Sequence, residues 1–289
     1  MVLSFLDLQH HLFTLTFDGK LHIAPIEELK GGVHNVLDIG TGTGIWAIDF
    51  GIELLFTYSP STSADFYSCN LPVCKCDRHR LESHPTKLVS ALLSDIFHPN
   101  TYLSVPPNCS FEVDDAEDEW VFPQKFDYIH GRALMSCFRN DQTVWEHAFK
   151  ALRPGGILEL QDLQMPLRYV DSTGEGTALK LWNERFMAAG LMLGRDFTKV
   201  AKYKATLEKV GFVDVVEKRY YWPVGTWAKG KKMKTLGAWY REDCLAGLQG
   251  ASVLFFTRAL KMTPEEVEVF LVDVRKGMKM NSIHAYAPV

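Results

Sequence analysis

The chain has 289 residues, 47% of them hydrophobic, with a formal net charge of -4 and a sequence pI near 6.2. This balance suits a compact soluble chain able to bury a large core, and it offers no general electrostatic reason to bind DNA or RNA. No apolar run reaches the roughly 18 residues of a membrane span, and the N-terminus lacks a basic stretch followed by an apolar one. An intracellular protein, cytoplasmic or nuclear, is expected, with its six cysteines reduced.

In chain order, residues 5 to 16 read as a helix. His10 and His11 are adjacent in it and point in different directions, so one should pack while the other meets solvent or ligand, and no metal is assigned to them. A first strand near 35 to 39 runs through Val36, Leu37, Asp38 and Ile39 into Gly40, Thr41, Gly42, Thr43 and Gly44. A helix-compatible stretch, Ile45 to Phe50, follows at once. Glycine admits backbone angles that other residues resist and lets a ligand approach main-chain N–H groups, so a strand, glycine turn and helix start suit a nucleoside cofactor. A dinucleotide fingerprint is G-x-G-x-x-G, whereas Ile45 stands where its third glycine would fall.

After Phe50 about 30 residues exceed the spacing usual for such folds. They read as an insertion near 52–80, either a surface loop or a gene-model artefact whose excision would leave a soluble protein. Cys69, Cys74, Cys76, His79 and His84 have the residue types of a zinc site, but their spacing is not a common one, and unpaired loop thiols are the simpler reading. Later strands are expected near 109 to 113, 126 to 130 and 156 to 161, with a helix around Leu179 to Met192. Pro154 should end a helix and the Gly155-Gly156 pair should turn the chain into the last of these strands. Gly211 to Tyr220 has the alternation and β-branched content of a late antiparallel strand. The basic run Lys229 to Lys234 begins a solvated helix with Leu236 and Trp239 on its inner face, nuclear import being the alternative use.

Asp38-x-Gly40-x-Gly42-x-Gly44 resembles motif I of the class I S-adenosylmethionine (SAM) methyltransferases. Phe126 to His130 resembles the fourth strand of that fold, and Ala148 to Leu160 its helix, L-x-P-G-G turn and fifth strand. Asp7 to Ile26, Phe111 to Pro123 and Phe126 to Leu134 are similar to the fungal LaeA-type methyltransferases, a family with regulators of secondary metabolism and members encoded in metabolite clusters. The likeness covers most of the chain apart from residues near 51 to 80 and an N-terminal lead-in. It implies a Rossmann-like α/β fold in one domain, 1–289, with a mostly parallel sheet, a late antiparallel strand and helical elaborations. It also implies SAM as cofactor and a small-molecule or protein methyl acceptor, with regulatory protein partners conceivable and neither nucleic acid nor membrane involved.

The SAM ribose needs a carboxylate that accepts two hydroxyl donors, by analogy with dinucleotide sites about 20 residues past the glycine turn and at a strand end. Asp65 has roughly that spacing but sits in a Ser/Thr-rich stretch, whereas Asp95, about 50 residues past Gly44, follows the apolar run Leu88 to Leu93 and is preferred. By resemblance, Asp115 accepts from the adenine amino group and the Ala116 N–H meets a ring nitrogen, the alternative being a solvated acidic turn from Asp114 to Glu119. His130 is the candidate catalytic base, or else a structural histidine, and Arg132 a holder of the SAM carboxylate. Two other functions stay open: a SAM-binding regulator with little catalysis, and a nicotinamide oxidoreductase.

Overall fold

The computed structural model describes residues 5–57, 69–74, 105–106 and 108–289. Asp65, Asp95, Cys76, His79 and His84 lie outside them. The chain forms two compact units, one of Leu21–Leu160, the other of Met1–Lys20 with Gln161–Val289. Among the described residues no helix is long and apolar enough to cross a membrane.

In the first unit, β1 (Val36–Ile39), β4 (Phe126–Arg132) and β5 (Leu152–Gln161) form a sheet in the order β1-β4-β5. Strands β1 and β4 are parallel, with Val36 opposite Tyr128 and Asp38 opposite His130. Both are buried nearly throughout, so the polar Asp38, Asp127 and His130 inside them need partners within the protein. β2 (Cys69–Cys74) pairs in parallel with β3 (Cys109–Asp114), Cys69 opposite Cys109 and Cys74 opposite Asp114. β2 falls inside the segment read as an insertion, and residues 52–57 of that segment complete α2 (Ile45–Thr57), so its excision removes a paired strand and the end of a helix. Helix α3 (Asp141–Ala151) leads directly into β5.

Two polar residues of β4 fix β1 at both ends. At the entry, Asp127 accepts from the His34 and Asn35 amides at 2.8 and 2.7 Å and pairs with Arg153, which also donates to the carbonyls of Lys30 and Gly32. At the exit, His130 Nδ1 donates to Asp38 Oδ1 at 2.7 Å. The apolar cluster beneath them joins Leu21, Ile26, Val36, Trp46, Phe50, Leu54 and Tyr128. Glu159 of β5 holds the approach to β1, accepting from the amides of Ile23 and Ala24 and from the Tyr128 hydroxyl at 3.0, 2.9 and 3.0 Å. A carboxylate buried to 6% exposure is tolerable because three donors replace its water.

The second unit is helical around a small antiparallel sheet. Helix α1 (Phe5–Thr16) has the predicted bounds, with His10 buried and His11 exposed, its ring 4.9 Å from that of Trp239. The others are α4 (Ala178–Met192), α5 (Tyr203–Val210), α6 (Lys231–Ala259) and α7 (Pro264–Lys279). Thr263 and Glu266 form a reciprocal capping box at the start of α7, with Pro264 in its first turn. The basic run opens α6, where Leu236 is buried and Lys232 donates to the Thr16 carbonyl and Asp18 at 3.0 and 2.6 Å. Trp222, fully buried, stands edge-on to Phe13 and donates to Thr16 Oγ1 at 2.7 Å.

Residues 211–220 form no strand. Gly211 ends α5 at φ 121°, and Val213 and Val216 are exposed at 82% and 75%. The late antiparallel strand is instead β7 (Tyr221–Pro223), in a sheet ordered β6-β8-β7 with β6 (Arg168–Tyr169) and β8 (Ala285–Pro288). β5 likewise starts before Pro154, the residue expected to end a helix. β5 is the last strand in its sheet order, where a proline without an N–H is tolerated.

One side chain of this unit carries a stability cost. Asp243 of α6 is 3% exposed, and its Oδ1 has no hydrogen-bond partner among the described residues. Burial pushes the carboxyl up to about 8, against a smaller downward pull from the Gln9 side chain, and Tyr240 and Cys244 beside it are raised by burial too. Between pH 4 and 8 the folded state therefore binds a proton that the unfolded chain does not. Stability then falls with rising pH by about 1.4 kcal/mol per unit and levels off above pH 8. Asp243→Asn should melt progressively higher than the parent as pH rises from 5 to 8. A melting difference constant over that range would show that Asp243 does not titrate this way.

Candidate functional site

The glycine turn leaves the carboxyl end of β1, where ligands bind in open α/β sheets. Gly40, Gly42 and Gly44 all have positive φ, 65°, 59° and 78°, so each glycine occupies an angle costly for other residues. The Gly44 amide donates to the Thr41 carbonyl at 2.9 Å, and the Ile48 amide to the Gly44 carbonyl at 2.9 Å, so the turn winds straight into α2. A Cβ on Gly44 would stand 2.6 Å from the Phe111 ring of β3. Gly44 thus allows close packing between helix start and sheet, the task of the third glycine in a dinucleotide turn.

Around the turn stand polar groups of unusual burial. Asp38 is 2% exposed and His130 fully buried, and Trp46 stacks on the imidazole with centroids 3.6 Å apart and planes 9° apart. The Trp46 indole N–H donates to the Leu21 carbonyl at 2.9 Å. Burial, with the nearby Glu159 carboxylate adding to it, raises the Tyr128 hydroxyl well above its ordinary value and keeps it a hydrogen-bond donor. Arg132, half-buried at the end of β4, is held down to about 10 by burial while the charges of Asp38 and Asp49 pull it back up. Ala133 follows at φ 56°, a strained angle for alanine of the kind that gathers at functional sites.

On β3, Asp114 accepts from the Asp115 amide, and Asp115 Oδ1 accepts from the Glu117 amide at 2.9 Å. Ala116 is buried, and its carbonyl accepts from the Trp120 indole at 3.0 Å. The acidic turn is only partly solvated, because Glu117 accepts from the Arg139 and Asn140 amides just ahead of α3. A carboxylate there satisfies N–H groups at a helix start.

Asp38, the three glycines, His130 and Arg132 therefore gather at the ends of β1 and β4, and Asp115 and Ala116 follow β3. Sequence reasoning missed Trp46, Glu159, Glu117 and Thr41. Trp46 and Glu159 are spaced as ordinary core and strand residues, and nothing in the spacing marks them. Thr41 Oγ1, buried inside the turn with no hydrogen-bond partner among the described residues, suits a polar ligand, while His130 Nε2 is equally without a partner but fully enclosed. Exposed backbone at the turn, an acidic group before it and a basic group beside it fit an adenosyl amino acid such as SAM. Among the described cysteines, Cys109, Cys137 and Cys244 are thiols rather than disulfides.

A family model described as a methyltransferase domain matches residues 8–217. The "Probable methyltransferase tdiE" of Emericella nidulans is 30% identical over 285 residues, 98% of this chain and 78% of that protein. Methyltransferase pytC of Aspergillus terreus is 29% identical over 97% of this chain and 76% of its own length. The secondary metabolism regulator LAE1 of Cochliobolus heterostrophus is 26% identical over 97% and 82%.

Gly42→Val should abolish SAM binding, because a β-branched residue is strained at φ 59° and shields the turn's N–H groups. Calorimetry on a variant that still melts cooperatively checks this, and retained binding contradicts it. Asp115→Ala should weaken SAM by about 1 to 3 kcal/mol, the range for losing a hydrogen bond to a charged group. Unchanged affinity would return Asp115 to the turn alone.

Proposed function

The chain belongs to the methyltransferase-domain family, as a SAM-dependent enzyme of the fungal LaeA-type group, and we propose that it methylates a small molecule of fungal secondary metabolism inside the cell. Family membership removes the nicotinamide alternative. The observation carrying the site assignment is the left-handed glycine turn that follows a buried aspartate at the end of β1.

Bound SAM supplies a sulfonium-activated methyl group, so the chemistry asks the protein mainly for alignment and exclusion of water. In this reading the turn amides and Asp38 receive the amino-acid end of the cofactor, with Arg132 beside them as counter-charge to its carboxylate. Burial supports that role for Arg132, since a partly desolvated guanidinium gains more from a carboxylate than an exposed one. Asp115 and Ala116 receive the adenine, and Asp95 is proposed for the ribose on sequence grounds alone. His130, read from the sequence as either a catalytic base or a structural histidine, is fully buried, which supports holding a neighbour rather than meeting an acceptor.

Similarity to a named regulator supports a second reading, in which a protein is methylated or SAM is bound with little turnover. Incubation with methyl-labelled SAM and fungal extract, split into metabolite and protein fractions, separates the two. The account expects label in the metabolite fraction. Label confined to protein, or SAM binding without transfer, would favour the regulatory reading.

A further inference from the structure

Resting on the SAM reading, we propose that His130 and Trp46 are positioning residues that hold the Asp38 carboxylate in one orientation at the mouth of the glycine turn. The three residues are 0%, 1% and 2% exposed, so none of their side chains is oriented by bulk water. A carboxylate only accepts, so His130 Nδ1, 2.7 Å from Asp38 Oδ1, carries the proton. That bond fixes the ring's in-plane direction. The stack with Trp46, at 3.6 Å and 9°, fixes its plane, and Trp46 is itself pinned by its bond to the Leu21 carbonyl and by stacking on Phe50 at 4.7 Å.

The consequence is asymmetric. One Asp38 oxygen is taken by histidine, while Oδ2 accepts no hydrogen bond among the described residues and stays available to an ammonium group. On the far side of the imidazole, Nε2 has no partner among the described residues and no exposure to solvent, so a proton from a methyl acceptor has no visible route to it. Tyr128, whose ring lies 6.3 Å from the imidazole, and Arg132 both feel the Asp38 charge, while Glu159 acts on Tyr128 and Asp49 on Arg132. None of them hydrogen-bonds Asp38 in place of His130.

Two amide substitutions separate positioning from bulk packing. Asparagine places its N–H near the Nδ1 position, whereas glutamine places it near Nε2, and the two are alike in polarity. His130→Asn should bind SAM within about threefold of the parent by calorimetry, and His130→Gln should lose roughly tenfold to a hundredfold, the range for a hydrogen bond to a charged group. Equal loss in both, or no loss in either, overturns the proposal. A second readout needs no variant: long-range nitrogen–proton NMR of the unliganded parent should find the His130 proton on Nδ1, and a proton on Nε2 alone would overturn the proposal. Failure of the parent to bind SAM would count against the cofactor reading and leave that tautomer measurement standing.

Discussion

The hydrogen bond between His130 and Asp38 joins the ends of β4 and β1, and the geometry of the site depends on it. In the parallel register these residues face each other, so the bond is as local as a ladder contact although they stand 92 positions apart in sequence. Asp127 performs the matching task at the other end of β4. A four-residue strand is thereby held at entry and exit by side chains of its neighbour, and the turn that follows starts from a fixed point. Polar bonds do this in a dry layer, where the loss of one partner costs more than at the surface.

That layer is aromatic on one side and polar on the other. Trp46, Phe50 and Tyr128 fill the space below the turn, and burying side chains of this kind contributes about 1.5–3 kcal/mol each. Trp46 serves both sides, giving its ring face to His130 and its N–H to the segment before β1. Glu159 completes the enclosure from β5. Packing that stabilises the unit and geometry that would orient the proposed cofactor contacts are here the same contacts, so substitutions in this layer should seldom affect stability or binding alone.

Much of this was legible in the sequence because the signals are local. The glycines demand positive φ, the apolar residues of Val36 to Ile39 and of Phe126 to Ile129 demand burial, and residues 5 to 16 carry a helical period. What was missed depends on partners distant in sequence. Whether Val213 and Val216 join a strand is decided by the partner segment, whose backbone bonds reach Tyr220 through Val289 and continue into the β7–β8 ladder but leave Val213 and Val216 outside, and no local pattern encodes that register. Pro154 fits a strand because of β5's place in the sheet order. Cys69 to Cys74 were obscured by a proline inside the strand and cysteines at both of its ends. Among the residues proposed for the site, Asp38 and the glycines follow from a motif, whereas Trp46 and Glu159 are drawn in by tertiary contacts.

The central claim is that the adenosyl amino acid lies on the Gly40–Gly44 turn with its amino group at Asp38. A crystal structure with S-adenosylhomocysteine tests it most directly. The account predicts ligand density along that turn, main-chain amides of the turn within hydrogen-bond distance of it, and the ligand's ammonium on the Asp38 oxygen that His130 leaves open. A ligand bound away from the turn, or on the turn with its ammonium turned away from Asp38, would contradict it.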